Sequence, residues 1–171
     1  FDVECLSECD VILTCQRSSY TSAIHPKLRK SGWNGFWIDA AKTLRMDDDS
    51  TLVLDPVNHL AIEMALNNGV KNFVGSNCTV SCLLMAIGAL FKEGLIDWVS
   101  SSTYQAASGG GAGHILELLK QMGAIHQSVE SDLKTLTNTI LEIDKKVLDQ
   151  QNKFSDDEIS CFQVPLAGNL I

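Results

Sequence analysis

Long apolar runs are missing from this sequence. None approaches the roughly 18 consecutive apolar residues that a membrane-spanning helix needs, and the N-terminus has no basic region ahead of an apolar signal core. A membrane partner is therefore not expected, and a reducing cytoplasm is the natural compartment. Basic charge is scarce as well: 13 Lys and Arg are scattered among 21 Asp and Glu, for a formal net charge of −8. Phosphate backbones need clustered cations, which excludes nucleic acid as the main partner. The six cysteines (Cys5, Cys9, Cys15, Cys78, Cys82 and Cys161) form no CxxC pair, and no histidine stands at zinc-finger distance from a cysteine pair. Neither a metal site nor a disulfide framework is indicated. A GxGxxG fingerprint is absent from residues 1–75, so either no dinucleotide binds there or the first βαβ unit lies upstream. There is no internal repeat, and the one low-complexity stretch is a glycine run.

What is present suits a globular α/β chain. Its 171 residues, 45% hydrophobic and 20% charged, are enough for one ordinary domain or parts of two. It opens on Phe1 without an initiator Met and ends on the apolar pair Leu170-Ile171, so a piece of a longer protein is expected. Residues 2–9 read as a short helix. Residues 10–16 form a compact β-branched run, the pattern of a strand buried on both faces. Residues 20–30 read as a helix in which Pro26 is tolerable near the first turn. Short strands follow at 36–39, 51–55 and 72–75, with a helix at 59–67 between the last two. This alternation describes a parallel α/β sheet of nucleotide-binding type. Further on, a strand is expected over 95–105, helices over 114–122 and within 133–150, a polar loop over 152–158 and an extended segment at 162–166.

The stretch Gly75-Ser76-Asn77-Cys78 followed by apolar Val80 to Leu90 places a thiol where a helix begins. Gly, Ser and Asn are cap and turn formers, and the apolar run is long enough for three helical turns. Unpaired N–H groups and the positive helix end favour a thiolate there, so Cys78 is a candidate nucleophile. The alternative is a buried structural cysteine, a description that suits Cys82 better. Ser108-Gly109-Gly110-Gly111-Ala112-Gly113 joins the expected strand to a helix; such a loop can cradle phosphate on its N–H groups, or serve as a hinge or a tight packing corner. Gln105 stands just before it. Arg45 follows a strand and a small-residue turn, where α/β proteins bind ligands and an arginine grips an anion bidentately, although most such arginines are simply solvated. His25 and His59 are expected near helix starts, and His114 and His126 bracket the helix after the glycine loop. None of the four stands out as an acid–base partner.

Several of these motifs, in order, resemble the bacterial aspartate-semialdehyde dehydrogenase family. They are Gly75-Ser76-Asn77-Cys78-Thr79 and Thr103-Tyr104-Gln105-Ala106-Ala107-Ser108-Gly109-Gly110-Gly111, preceded by Ile38-Asp39-Ala40-Ala41, Leu44-Arg45-Met46 and Leu54-Asp55-Pro56-Val57-Asn58. The similarity continues to Val164-Pro165-Leu166-Ala167-Gly168. It implies the later half of a Rossmann-type NADP-binding domain (residues 1–75) followed by the start of an α+β catalytic and dimerisation domain (residues 76–171). The implied activity is the reversible, NADP-dependent conversion of L-aspartate 4-semialdehyde and phosphate to 4-phospho-L-aspartate, which feeds lysine, threonine, methionine and diaminopimelate biosynthesis. By position the resemblance makes Cys78 the thioester nucleophile and Gln105 the substrate-orienting glutamine. Arg45 and Asn77 become phosphate-site residues, Gln16, Ser108, Gly109 and Gly110 cofactor contacts, and the whole protein a homodimer.

The resemblance also places the family's glycine fingerprint upstream of Phe1 and its acid–base histidine and carboxylate-binding arginine downstream of Ile171. Leu136 stands where many members have a proline near the cofactor. Related acyl-phosphate reductases, such as N-acetylglutamyl-phosphate reductases and relatives of glyceraldehyde-phosphate dehydrogenase, share the capped cysteine, but the run Tyr104 to Gly109 speaks against them. A non-catalytic nucleotide-binding or dimerisation module is the other alternative. The 171 residues expressed alone should show no NADP-dependent turnover in a spectrophotometric assay; robust turnover would refute this placement of the missing groups.

Overall fold

The protein is described here from a computed structural model, which covers residues 2–135 and 139–169. Leu136 and the two chain ends, on which some of the expectations above fall, lie outside the described residues. The chain divides into two compact units, Phe1–Thr103 and Tyr104–Ile171.

In the first unit, four short strands, β1 (Val11–Thr14), β2 (Phe36–Asp39), β3 (Ser50–Val53) and β4 (Asn72–Gly75), form an all-parallel sheet in the order β1-β2-β4-β3. Parallel pairing requires crossovers. Helix α2 (Ser18–Lys30) links β1 to β2, and α3 (His59–Asn67) links β3 to β4; α1 (Val3–Ser7) precedes them and α4 (Cys78–Lys92) follows. Helix α2 buries Thr21, Ile24, His25 and Leu28, the i, i+3, i+4, i+7 stripe of a helix lying on a sheet. Its lower face meets Ile12, Trp33, Trp37, Leu44 and Val74 in the core. Trp37 is fully buried, with His25 edge-on at 5.2 Å and Trp33 edge-on at 6.4 Å.

Side chains bind at both ends of the strands. At the strand starts, Arg29 donates through Nη1 to the carbonyls of Trp33 (3.1 Å) and Gly35 (2.9 Å) and through Nη2 to Lys71 O (3.3 Å) and Asn72 Oδ1 (2.6 Å). At the strand ends, the buried Asp39 carboxylate accepts from Thr21 Oγ1 (2.6 Å), Trp37 Nε1 (3.1 Å) and Ala41 N (2.7 Å).

Several local expectations change. Strand β1 is buried on one face only: Ile12 and Thr14 face the core, while Val11 and Leu13 are exposed, because α2 covers just the first of these faces. Pro26 lies deep inside α2 rather than in its first turn. It is tolerated because Pro26 and Ser22, whose carbonyl loses its helical donor, both face solvent. His25 is buried in mid-helix and bonds Asn72 Oδ1 at 2.9 Å. Residues 95–105 form no strand; among the described residues no neighbouring strand takes their backbone hydrogen bonds.

The second unit comprises a 3₁₀ turn (Ala107–Gly110), a 24-residue helix α5 (Ala112–Thr135) and α6 (Ile140–Gln151). Helix α5 runs well past the expected 114–122, since Gly123 does not stop it and Val129 and Asp132 continue its buried stripe. The helix expected within 133–150 is α6, and at its start Thr139 and Glu142 form a reciprocal capping box. Asp132 pairs with Lys146 at 2.6 Å, joining α5 to α6. Residues 162–166 turn rather than extend, with Gln163 at φ 63°, because α5 side chains bind the segment's backbone. Among the described residues no helix is long and apolar enough to cross a membrane. Removing the Trp37 ring by Trp37→Ala should cost about 3–5 kcal/mol of unfolding free energy, measurable by urea denaturation of the whole protein; a loss near zero would mean that this core does not carry the sheet.

Candidate active site

Parallel strands bring all their C-terminal ends to one side of the sheet, the side on which α/β proteins bind ligands. There β4 ends at Gly75, and after Ser76 and Asn77 α4 begins with Cys78. Asn77 is the N-cap: its Oδ1 accepts from Thr79 N (3.0 Å) and Val80 N (3.1 Å). Its backbone carbonyl accepts from Ser81 N (2.7 Å) and from Ser81 Oγ (2.8 Å), and the Ser76 and Ser81 hydroxyls pair across the turn. The cap uses the side-chain oxygen, which leaves Nδ2 as the donor Asn77 can offer a ligand. Cys78 thus occupies the first helical position and is exposed, its Sγ 4.0 Å from Thr79 Oγ1.

Arg45, half-buried on the turn after β2, reaches the same place. Its Nε donates to Gly75 O (2.8 Å) and its Nη2 to Ser76 O (3.2 Å), so the guanidinium clamps the two carbonyls that immediately precede the cap. Two of its five N–H groups serve the backbone, and the charge and the remaining donors stay at the helix start. Arg45, Asn77 and Cys78 are therefore one assembly. This clamp has no signature in the sequence, because its acceptors are backbone carbonyls.

Gln16 sits at the end of β1, where its N–H donates to Thr14 Oγ1 (3.2 Å). Strand β2 separates it from β4, a displacement of roughly 10 Å at ordinary strand spacing. It lines an open cavity of about 410 Å³ with Arg17, Ser19, Tyr20, Ala23 and Ile24, beside the start of α2, which has no side-chain cap.

The second unit carries the remaining candidates. In the 3₁₀ turn, Gly109 N donates to Ala106 O and Gly111 N to Ser108 O, each at 2.9 Å. These N–H groups are used inside the loop instead of forming an open cradle. The glycines serve close packing: a side chain on Gly109 would collide with the Gln105 amide, and one on Gly110 with the His114 ring. Gln105, Ser108, Gly109 and Gly110 thus form a second cluster within this unit. Cys82, expected to be buried, is exposed, as are all six cysteines, and α4 buries none of its residues. Among the described residues no group of three or more His, Cys, Asp or Glu is placed to hold a metal ion.

Comparison with known proteins matches residues 1–65 to the semialdehyde dehydrogenase NAD-binding domain and residues 87–171 to the semialdehyde dehydrogenase dimerisation domain. The chain belongs to the semialdehyde dehydrogenase family. A solved aspartate-semialdehyde dehydrogenase from Francisella tularensis is 46% identical over 99% of this chain and 45% of its own, with a TM-score of 0.81. Aspartate-semialdehyde dehydrogenase II from Vibrio cholerae, in complex with ASA, is 25% identical over 74% of this chain and 36% of its own, with a TM-score of 0.52. A second structure of that Vibrio enzyme is 26% identical over 71% and 34%, with a TM-score of 0.51. This chain spans less than half the length of these relatives.

Two features expected from the sequence therefore stand in this member of the family: a Rossmann-type, parallel-stranded nicotinamide-cofactor domain leads into a dimerisation domain. Losing the cap through Asn77→Ala should cost about 0.5–2 kcal/mol of stability, whereas Asn77→Asp, which keeps an acceptor oxygen, should cost less. Thermal unfolding of the two variants of the whole protein checks this; equal losses would argue against the cap.

Proposed function

We propose that this chain carries the nucleophile and part of the cofactor site of an NADP-dependent aspartate-semialdehyde dehydrogenase. That enzyme interconverts L-aspartate 4-semialdehyde plus phosphate and 4-phospho-L-aspartate, in the cytoplasmic biosynthesis of lysine, threonine, methionine and diaminopimelate. The observation that carries the reading is the exposed thiol of Cys78 at the start of a capped helix, with Arg45 clamped against the two residues before the cap.

The chemistry follows from these positions. Cys78 Sγ, as thiolate, adds to the aldehyde carbon and gives a thiohemiacetal, whose developing oxyanion is met by Asn77 Nδ2 and by the Cys78 N–H, since the N–H groups of Thr79 and Val80 serve the cap. A nicotinamide cofactor, when bound, supplies the two-electron acceptor that turns this adduct into a thioester. Phosphate then attacks the thioester carbon, the C–S bond breaks, and the acyl phosphate leaves as Cys78 is regenerated. Arg45 is suited to hold that phosphate, because its charge sits at the helix start and a guanidinium matches an oxyanion bidentately. Gln105 orients the substrate.

Gln16 and the segment Ser108, Gly109 and Gly110 are assigned to the cofactor. The open cavity beside Gln16, at the strand ends and next to a helix start without a side-chain cap, supports that assignment for Gln16. We place the boundary between cofactor and catalytic domains at residues 75/76, inside the interval 66–86 that neither family model covers. The similarity of 87–171 to a dimerisation domain supports a homodimer.

Cys78→Ala in the whole enzyme should lower kcat by roughly 10³-fold or more, and iodoacetamide should modify Cys78 faster than Cys82, read by peptide mass spectrometry. Unchanged activity in Cys78→Ala, with equal alkylation of the two thiols, would sink the proposal.

A further inference from the structure

Helix α5 turns a polar side toward its own unit. Glu117 and Gln121, one turn apart, are 6% and 1% exposed, and buried groups of this kind persist only when they are bonded. Glu117 Oε2 accepts from Cys161 N (2.7 Å) and Oε1 from Phe162 N (3.2 Å). Gln121 Oε1 accepts from Leu166 N (2.9 Å) and Ala167 N (3.1 Å), and its Nε2 donates to Glu158 O (3.2 Å). Two side chains thereby hold the backbone of residues 158–167. Burial by itself would raise the Glu117 pKa. The N–H groups of Cys161 and Phe162, the Cys161 side chain and the nearby charge of His114 outweigh it and hold the carboxyl below its ordinary value.

The held segment leads back to the glycine turn. Phe162, fixed by its N–H bond to Glu117, meets the His114 ring edge-on at 4.8 Å and 88°. The His114 ring in turn packs so closely on Gly110 that a Cβ there would collide with it unless the ring moved. An unbroken line of contacts therefore runs from the Glu117 carboxylate through Phe162 and His114 to Gly110.

We infer that Glu117 is a positioning residue for the Ser108–Gly110 turn, acting through Phe162 and His114 rather than by touching any ligand. The inference rests on the reading of that turn as a cofactor contact. Glutamine is the informative replacement, since it keeps the size but turns an N–H₂ group toward one of the two backbone N–H donors that the carboxylate now accepts.

The test uses the whole enzyme and NADPH, with the dissociation constant read from cofactor fluorescence and kcat measured separately. Glu117→Gln should weaken NADPH binding roughly tenfold with kcat within about twofold. His114→Ala should do the same, and the double variant should be no worse than the weaker-binding single variant, as expected when two residues act along one line. Asp132→Asn, which breaks the Lys146 pair elsewhere in this unit, should lower the melting temperature and leave NADPH binding unchanged. Additive losses, or a lower melting temperature in Glu117→Gln with unaltered NADPH affinity, would overturn the inference. If Glu117→Gln does not fold, Phe162→Leu breaks the ring contact with the carboxylate intact; weaker NADPH binding then supports the inference, and unchanged binding overturns it. Gly110→Ala separates the two levels. If it leaves NADPH affinity unchanged, the cofactor reading of the turn fails. If it weakens binding while Glu117→Gln does not, only the positioning role fails.

Discussion

Arg29 is the constraint on which the first unit depends. Strands of four residues pair weakly by themselves, and parallel pairs more weakly than antiparallel ones, so the carbonyls at their starts need other partners. One guanidinium supplies them, binding Trp33 O, Gly35 O, Lys71 O and Asn72 Oδ1 and thereby tying α2 to the starts of β2 and β4. Burial lowers its pKa, and the charge of Asp49 opposes this. Asn72 Nδ2 extends the same network to Asp49 at 3.1 Å.

With the strand starts closed in this way, a second set of side chains organises the opposite ends of the strands. Asp39 ends β2 with its carboxylate bonded to α2, to Trp37 and to the following turn, which sets the course of the chain toward Arg45. Arg45 then clamps Gly75 and Ser76, and Asn77 caps α4. Each step satisfies a backbone group that would otherwise be unpaired, and the sum of the steps fixes where Cys78 stands.

The second unit solves a similar problem differently. It has no sheet among its described residues, and α5 organises it with polar side chains: Glu117 and Gln121 bind loop backbone, and Asp132 pairs with Lys146 of α6. Buried polar contacts have strict geometry, so they specify one arrangement of residues 158–167 where apolar packing would permit several. The glycines of the preceding turn match this precision, since Gln105 and His114 fill the space a side chain would need.

The sequence by itself determined the alternation of strands and helices through residue 75, the helix start at Cys78 and the family, because periodicity, capping residues and local motifs are properties of neighbouring positions. It also pointed to Arg45, Asn77 and Cys78, but only the tertiary structure decided that Arg45 grips two backbone carbonyls. Every residue carries such a carbonyl, so nothing in the sequence marks which one a distant side chain will meet. The same reason accounts for His25, read as a helix-start residue and found buried against Asn72, and for Glu117 and Gln121, which as letters suit a solvated helix face. Residues 95–105 show the converse: an alternating, β-branched pattern does not make a strand without a partner to take its hydrogen bonds, and partners are chosen by the fold.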